Sequence, residues 1–358
     1  MPDQEIDFFK KGDLGKIIPP RGERAQSLSG FDDDYVDIVD YIIRSTHKIW
    51  EEHGLGRIYE HYQHNAIVWT SEGLTYSREQ VIAASARTQS AFPDVRLYGG
   101  DVIWAGNDVD GFHTSHRIMW TGRNTGHTAY GPPTGRKLQR WGIANCFVRE
   151  NRVVEEWIAR DEMSLILQLG FDTHETARRI VDKESRTTIS KPAIGEVERV
   201  LGETTPVVLP PNAGNEFDPE ELVRRAYHEV WNWRKLNELD KYFTVNYLCH
   251  GASCRELYGL GDLRAFILST IAAFSDLMMT VDQVYWNGNA KDGYRVATRW
   301  TWQGTHDGPG IYGEPSGARV RIMGISHQWI RDGMIVEEWM MYDEFALLKQ
   351  IYRARLWK

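Results

Sequence analysis

A long internal repeat constrains the fold of this chain more than any other feature. VVEEWIARDE at residues 153–162 returns as IVEEWMMYDE at residues 335–344, 182 positions later. Other pairs match at the same distance, including Gly142/Gly324, Trp120/Trp302 and Arg117/Arg299. Further upstream the distance falls to 181, where Trp50 matches Trp231. Self-similarity over this length indicates one folding unit that occurs twice.

The repeat divides the 358 residues into two related domains joined by a linker. A chain of this length exceeds what one hydrophobic core usually supports. We predict an irregular N-terminal extension at 1–30, a first domain at 31–171, a linker at 172–219 and a second domain at 220–358. The linker begins with charged sequence of helical character, and its end, ETTPVVLPPNAGNEFDP, favours an extended chain.

Each copy shows the same order of predicted elements, with helices before strands. Two short helices are predicted in DIVDYIIRSTHKIWEEHGLGRIYEHY and in ELVRRAYHEVWNWRKLNELDKYF, because apolar residues recur there at helical spacing. A strand and a third helix follow. Apolar and polar residues then alternate through several segments, as in FHTSHRIMWTG, which is typical of antiparallel strands. The predicted fold class is α+β, with about three helices packed on an antiparallel sheet in each copy.

The last two strands of each copy are joined by short turns at residues 149–151 and 331–333. Asn or Gly in the third place suits a three-residue hairpin whose last residue is left-handed. This turn would place His327 opposite Glu337 and put His327 and Trp339 on one face of the sheet. The matching residues of the first copy are Asn145 and Trp157. A two-residue turn would change this register.

Composition and charge narrow the classes of partner. The chain has 42% hydrophobic and 26% charged residues, as ordinary folded proteins do. A net charge of −8 without any Lys/Arg-rich run argues against nucleic-acid and anionic-membrane partners. We expect a cytoplasmic protein, because neither a signal peptide nor a membrane-spanning run is recognisable. Cys146, Cys249 and Cys254 show no zinc-ligand spacing and are expected to be reduced thiols.

The order helix, helix, strand, helix and sheet resembles the NTF2-like fold, a cone whose sheet and helices enclose a pocket. GHTAYGPPTGRKLQRWGIANCFVRENRVVEEWIARDEMSLILQLG resembles the SnoaL-like polyketide cyclase and ester cyclase families in its PPTG turn, acidic hairpin, EEW-type strand and QLG ending. The second copy keeps GEPSG, RDG and EEWMMYDE but ends in KQIY where the pattern has QLG. The chain thus resembles a tandem SnoaL-like protein of two cone domains, each with a curved antiparallel sheet.

The resemblance implies a set of catalytic candidates. SnoaL-like cyclases use an Asp near the end of the last strand as general acid and base, without metal or cofactor, and Asp161 and Asp343 match it. Such a carboxyl group needs an apolar pocket that raises its pKa. A neighbouring strand must supply a donor for an enolate oxygen, and His327 and Asn145 are the candidates. An Asp between a strand and an apolar helix is also typical of an N-cap, and the sequence leaves both roles open.

Other residues are candidates for the pocket wall or for proton transfer. His250 replaces Trp69 on the first strand and is a candidate for proton transfer, with a solvated strand end as the alternative. The substrate-binding candidates are Trp69, Trp120, Asn145, Trp157, Trp302 and Trp339. His113 and His116 lie three apart on a strand, face opposite sides and are poor joint metal ligands. The two glutamates of EEW are interpreted as structural. Because the second copy has more polar candidates, we predict that it is the more active one.

The sequence leaves two functions open. The first is a cofactor-independent acid/base enzyme acting on a small carbonyl or polyketide-like carbon acid, as a cyclase, isomerase, dehydratase or hydrolase. The second is a small-molecule-binding or scaffold protein that keeps the pocket without turnover. No motif for serine, zinc, phosphate-loop or dinucleotide chemistry occurs. Because single-domain relatives commonly pair through their sheets, we also expect an intramolecular pseudo-dimer of the two copies, with further homo-oligomers left open.

Overall fold

The computed structural model describes residues 23–184 and 216–357, together with Leu209 and Gly214. The chain divides into two compact units. The first contains the described residues up to Thr70, Leu74–Arg160 and Leu165–Phe171. The second contains Ser71–Gly73, Asp161–Ser164 and the chain from Asp172 onward. No helix among the described residues is both long and apolar enough to cross a membrane.

The first copy begins with helices, as predicted. They are α1 (Ile38–Trp50), α2 (Ile58–His61) and α3 (Arg78–Ala91). Asp37 caps α1, because its carboxylate accepts a hydrogen bond from the Asp40 N–H at 2.7 Å. Apolar residues at helical spacing, among them Ile38 and Ile42, are buried and fix the orientation of α1 against the sheet.

Six strands of the first copy form one mixed sheet. They are β1 (Tyr62–Thr70), β2 (Gly73–Tyr76), β3 (Arg96–Asn107), β4 (Gly111–Arg123), β5 (Lys137–Arg149) and β6 (Arg152–Arg160), in the order β2-β1-β6-β5-β4-β3. The run from β3 to β6 is antiparallel, as predicted. Strand β1 joins β6 in parallel, which the alternation pattern does not reveal because the two strands are far apart in the chain. Two helices follow, α4 (Glu162–Leu169) and α5 (Thr173–Lys183).

The second copy repeats this architecture. Its elements are α6 (Pro219–Tyr227), β7 (Phe243–Gly251), β8 (Arg255–Tyr258), α7 (Gly259–Ala273), β9 (Met278–Asn289), β10 (Gly293–Thr305), β11 (Arg319–Arg331), β12 (Met334–Tyr342) and α8 (Glu344–Leu356). Short π and 3₁₀ turns at His228–Asn232 and Leu236–Lys241 stand where a second helix is predicted. The strand order β8-β7-β12-β11-β10-β9 matches that of the first sheet. Both copies therefore have the predicted α+β fold.

The turn between the last two strands differs from the prediction. Arg331 pairs with Met334, so the turn has two residues, Asp332 and Gly333, both with positive φ. A bulge next to the turn shifts the register again. The predicted pairing of His327 with Glu337 is therefore wrong, and His327 lies opposite Trp339. His327 and Trp339 still share one face, as predicted, because a register shift of two residues leaves each side chain on the same face of the sheet.

The described part of the N-terminal extension packs on the first copy. Leu28 and Phe31 belong to a buried cluster with Tyr41 of α1. The hairpin of the first copy contacts the same region, since the Asn151 side chain donates to Asp32 at 2.8 Å and the Asn151 carbonyl accepts from the Tyr41 hydroxyl at 2.8 Å. The predicted helical start of the linker is α5, which begins at an Asp N-cap. Residues 1–22 and most of the predicted linker lie outside the described residues.

Candidate active site

Six of the predicted site residues lie on the sheet face that points away from the helices. They are Trp69, Asn145 and Trp157 in the first sheet and His250, His327 and Trp339 in the second. Within each set the residues pair across adjacent strands and therefore share one face. Successive strand residues alternate, so Glu156 and Glu338 point to the opposite face. That face is covered by helices, as the hydrogen bond from Tyr227 of α6 to Glu338 shows.

On the outer face of the second sheet, His250 lies between two carboxylates. Its Nδ1 is 2.7 Å from Glu256, its Nε2 is 3.3 Å from Glu337, and its ring stacks on Trp339 with centroids 3.9 Å apart. Burial alone would lower the pKa of His250, but the hydrogen bonds to Glu337 and Glu256 raise it above the ordinary value. Both ring nitrogens are thereby engaged. Its role in proton transfer stays a prediction.

Asp161 and Asp343 both occupy helix N-caps. An Asp161 oxygen accepts from the Ser164 N–H at 3.1 Å, and an Asp343 oxygen accepts from the Ala346 N–H at 2.9 Å. Burial raises the pKa of Asp161 to about 6, although backbone hydrogen bonds oppose the shift. Burial, together with the nearby Glu162 carboxylate, raises the pKa of Asp343 well above its usual range. The cap role is therefore observed for both residues, and their catalytic role stays a prediction.

A cavity of about 210 Å³ lies inside the first copy, between α1, α2 and α3 and the helix-facing side of the sheet. Its apolar wall includes Ile42, Ile49, Val68, Ile118 and Ile158, and the predicted residue Trp120 also lines it. Its polar residues include His61, Tyr62, His116, Arg140, Glu156 and Arg160. Every one of these positions lies in the first compact unit. An apolar cavity with a few polar groups is typical of small-molecule sites.

Glu156 supplies the carboxyl group of this cavity. Its side chain is buried, one oxygen accepts from the Tyr62 hydroxyl at 3.0 Å, and the other lies 3.9 Å from the Cys146 sulfur. Burial raises the pKa of Glu156, while Arg160 and the hydrogen bond from Tyr62 partly offset the shift. Burial beside Glu156 also raises the pKa of Tyr62 well above the ordinary value, so Tyr62 is a neutral donor.

Three further polar residues of the wall have unpaired nitrogens. Among the described residues, no group hydrogen-bonds to either ring nitrogen of His116, to His61 Nδ1 or to Trp120 Nε1. Burial and the neighbouring Arg117 lower the pKa of His116 to about 4, so its ring is neutral at pH 7. A buried polar group without a partner costs about 1–3 kcal/mol. Such groups are available to the polar atoms of a ligand.

The matching carboxyl group of the second copy has a different environment. Glu338 stands 182 positions after Glu156. It accepts hydrogen bonds from the hydroxyls of Tyr247, at 2.7 Å, and Tyr227, and from Gln328 at 3.3 Å. Trp302, a predicted wall residue, packs nearby in an aromatic cluster whose other members include Trp231, at 5.6 Å between ring centroids. Protein side chains thus occupy the hydrogen-bonding positions of Glu338 and aromatic rings pack nearby. The geometry therefore favours the first copy as the one with a ligand site.

The sequence analysis missed most residues of this cavity. The structural interpretation of Glu156 depends on its alternation with buried Val and Trp in a half-exposed strand, and alternation alone does not show which face the helices cover. His116 was considered only as a metal ligand. Among the described residues, no group of three or more His, Cys, Asp or Glu side chains is arranged to hold a metal ion. The one available signal was that Glu156 and Ile158 are two residues apart on a strand and therefore share a face. Both line the cavity.

Two copies of an α+β domain, the first with a cavity between its helices and its sheet, define the class of protein. The family model of the SnoaL-like polyketide cyclases matches residues 41–169 and 221–351, which is more than half of the chain. The chain belongs to the SnoaL-like polyketide cyclase family, and it carries two copies of the family's domain. No curated protein is similar enough in sequence to match it.

Solved structures with similar domains match one copy at a time. A Jannaschia protein provisionally described as a SnoaL-like polyketide cyclase is 23% identical, with a TM-score of 0.33, over 39% of this chain and 98% of its own. TsrD from Streptomyces laurentii is 23% identical, with a TM-score of 0.33, over 38% and 98%. AclR from Streptomyces galilaeus, provisionally described as a hydroxylase, is 23% identical, with a TM-score of 0.32, over 37% and 79%. We draw nothing about activity from these likenesses.

Proposed function

We propose that this protein is a cofactor-independent acid/base enzyme that acts on a small carbonyl compound in the cavity of the first copy. The observation that supports it most is Glu156, a buried carboxyl group in the cavity wall whose pKa burial raises. A carboxyl group in this state exchanges protons at neutral pH more readily than a solvated one. Family membership is consistent with chemistry of the cyclase or isomerase type.

The proposed step is proton transfer from a carbon atom next to a carbonyl group. The Glu156 carboxylate takes the proton, the electrons of the broken C–H bond move toward the carbonyl oxygen, and an enolate forms. Two neutral donors line the same cavity as Glu156, namely Tyr62, which hydrogen-bonds to Glu156, and His116. Either can hydrogen-bond to the enolate oxygen. Return of the proton to another carbon gives an isomer, and attack of the enolate on a second carbonyl gives a ring.

Proton exchange tests this step without knowledge of the product. We would incubate small ketones and β-keto esters with the protein in D₂O and follow deuterium incorporation next to the carbonyl by NMR. The wild-type chain is expected to accelerate exchange, and Glu156→Gln is expected to slow it by roughly 100-fold or more. Glu338→Gln is the matched control, because it changes the equivalent carboxyl group of the second copy. Equal loss in both variants contradicts the assignment to the first copy.

Ligand binding without turnover is the second candidate, and one observation favours it. Asp161 and Asp343, the residues that the family resemblance assigns to catalysis, both cap helices. Saturable binding of these compounds without any exchange would support this candidate. Loss of exchange in Asp343→Asn, which keeps the cap, but not in Glu156→Gln would move the catalytic role back to Asp343.

A further inference from the structure

Three residues that line the cavity of the first copy are replaced by aromatic residues in the second. The matched pairs are Thr46/Tyr227, at the 181-residue distance, and Ile118/Trp300 and Arg160/Tyr342, at the 182-residue distance. All three aromatic side chains are buried, and Trp300 is 0% exposed. At these three positions the second copy therefore places a buried ring where the first copy has a side chain that lines the cavity.

Trp300 occupies the space above a glycine of β11. A Cβ atom added to Gly324 would overlap the Trp300 indole. The matching glycine of the first copy, Gly142, lines the cavity, and the nearest atoms to a Cβ atom added there belong to Ala159 and Arg160, no nearer than 3.3 Å. The backbone next to the sheet is thus covered by an indole in one copy and open in the other.

Hydrogen bonds and ring contacts fix Trp300 in place. Its Nε1 donates to the Ser326 hydroxyl at 3.1 Å, which also accepts from the Tyr227 hydroxyl at 2.9 Å. The Tyr342 ring lies 5.9 Å from the Trp300 ring and 5.5 Å from the Trp302 ring. An indole with its nitrogen paired and its faces in contact with other rings is a well-packed part of the core. These contacts hold the Trp300 side chain in one position in the core.

We propose that Trp300 closes the interior of the second copy to ligands and that Ile118 keeps the interior of the first copy open. This one pair of positions then decides which copy binds a small molecule. The second copy is a closed relative of the first, in which the protein's own aromatic side chains take the place of a ligand. The inference concerns binding and does not require that Glu156 transfers protons.

Indole is the matched probe, because it is the group that Trp300 places in the second interior. We would titrate indole into the full-length chain and measure stoichiometry by calorimetry and the sites by NMR. The wild-type chain is expected to bind one indole, in the first copy. Ile118→Trp is expected to weaken that binding at least tenfold, and Trp300→Ala is expected to add a second site whose occupancy raises the melting temperature.

Two conservative variants serve as controls, and a third covers the case in which a variant does not fold. Ile118→Leu keeps the cavity and should bind indole as the wild type does, and Trp300→Phe should gain no second site because a ring still covers Gly324. If Trp300→Ala does not fold, Trp300→Ile introduces the residue that the first copy has at this position. Unchanged indole affinity in folded Ile118→Trp, or unchanged stoichiometry in folded Trp300→Ala or Trp300→Ile, overturns the proposal. If the wild-type chain binds indole as expected but does not accelerate proton exchange, the result would instead count against the proposed function.

Discussion

At the scale of single residues, the carboxyl group of Glu156 couples folding to pH. An unfolded Glu titrates near a pKa of about 4.3, and burial raises the folded pKa of Glu156. Between these values the folded state binds more protons than the unfolded state, so stability falls as pH rises through this window and is constant above it. Glu156→Gln removes this contribution.

We therefore expect the free energy of unfolding of Glu156→Gln to fall less steeply than that of the wild type between about pH 4 and the raised pKa. Urea unfolding at a series of pH values measures both slopes. Because Gln can still accept a hydrogen bond from Tyr62, the variant should keep the fold. Parallel pH profiles of the two proteins would show that Glu156 titrates at an ordinary pKa, and the proposed proton transfer would lose its main support.

The candidate residues could be predicted only in part, because the sequence does not say which sheet face the helices cover. Trp120 was assigned to the pocket and lines the cavity. Trp157 is as apolar and as buried as Trp120, yet it lies on the opposite face. Residue type reports burial, and strand parity reports a shared face. Neither residue type nor strand parity distinguishes the sheet face that the helices cover from an outer face that is also buried.

At the scale of elements, the caps of α4 and α8 combine a favourable hydrogen bond with an unfavourable buried charge. Asp161 shows both, since it caps α4 while burial raises its pKa to about 6. Asn caps helices about as well as Asp does. Asp161→Asn is therefore expected to be more stable than the wild type at pH 8, by up to about 3 kcal/mol. The difference should be much smaller near pH 4, where Asp161 is protonated in the folded chain and about half protonated in the unfolded chain.

Asp161→Ala separates the cap from the charge. It lacks the hydrogen bond to the Ser164 N–H, so it should lose about 1 kcal/mol relative to Asp161→Asn at every pH. Thermal unfolding of the three proteins at pH 4 and pH 8 measures both contributions. An Asn variant that is less stable than the wild type at pH 8 would mean that the carboxylate is favourable as a charge.

The β11–β12 hairpin gives a second prediction for an element. Gly333 has φ of 75°, a conformation that costs most residues with a Cβ about 1–2 kcal/mol. Gly333→Ala should be destabilised by about that amount in urea unfolding. Gly333→Asn is the matched control and should lose less, because Asn151 adopts φ of 66° at the equivalent position of the first copy. Equal losses in both variants would point to a steric cause.

The order of the elements was predictable because it depends on local periodicity, and the turns were less so. Apolar spacing identified α1 and α6, and alternation identified the antiparallel strands. The parallel pairing of β1 with β6 depends on contacts between distant segments. The register of the last hairpin depends on bulges, which one sequence does not reveal.

At the scale of the whole molecule, the duplication was the most informative feature of the sequence. It identified two copies of one domain, and the family model matches both. The sequence analysis predicts that the second copy is the more active one, whereas we propose the first, because His250 and His327 lie on the sheet face that points away from the helices. The intramolecular pseudo-dimer, the domain boundaries and the cytoplasmic location stay predictions.

The two equivalent carboxyl groups offer a test of how the copies divide stability and activity. Glu338 accepts hydrogen bonds from Tyr227, Tyr247 and Gln328 in a filled interior, whereas Glu156 borders a cavity. The amide group of Gln at position 338 cannot accept on its nitrogen, so a buried tyrosine hydroxyl loses its acceptor. Glu338→Gln is therefore expected to cost about 1–3 kcal/mol in unfolding free energy and to leave proton exchange unchanged. Glu156→Gln is expected to slow proton exchange and to cost less stability at neutral pH, because the Gln carbonyl can still accept the hydrogen bond from Tyr62. If Glu338→Gln abolishes exchange in a protein that remains folded, the filled interior takes part in function, and the division of roles between the copies is wrong.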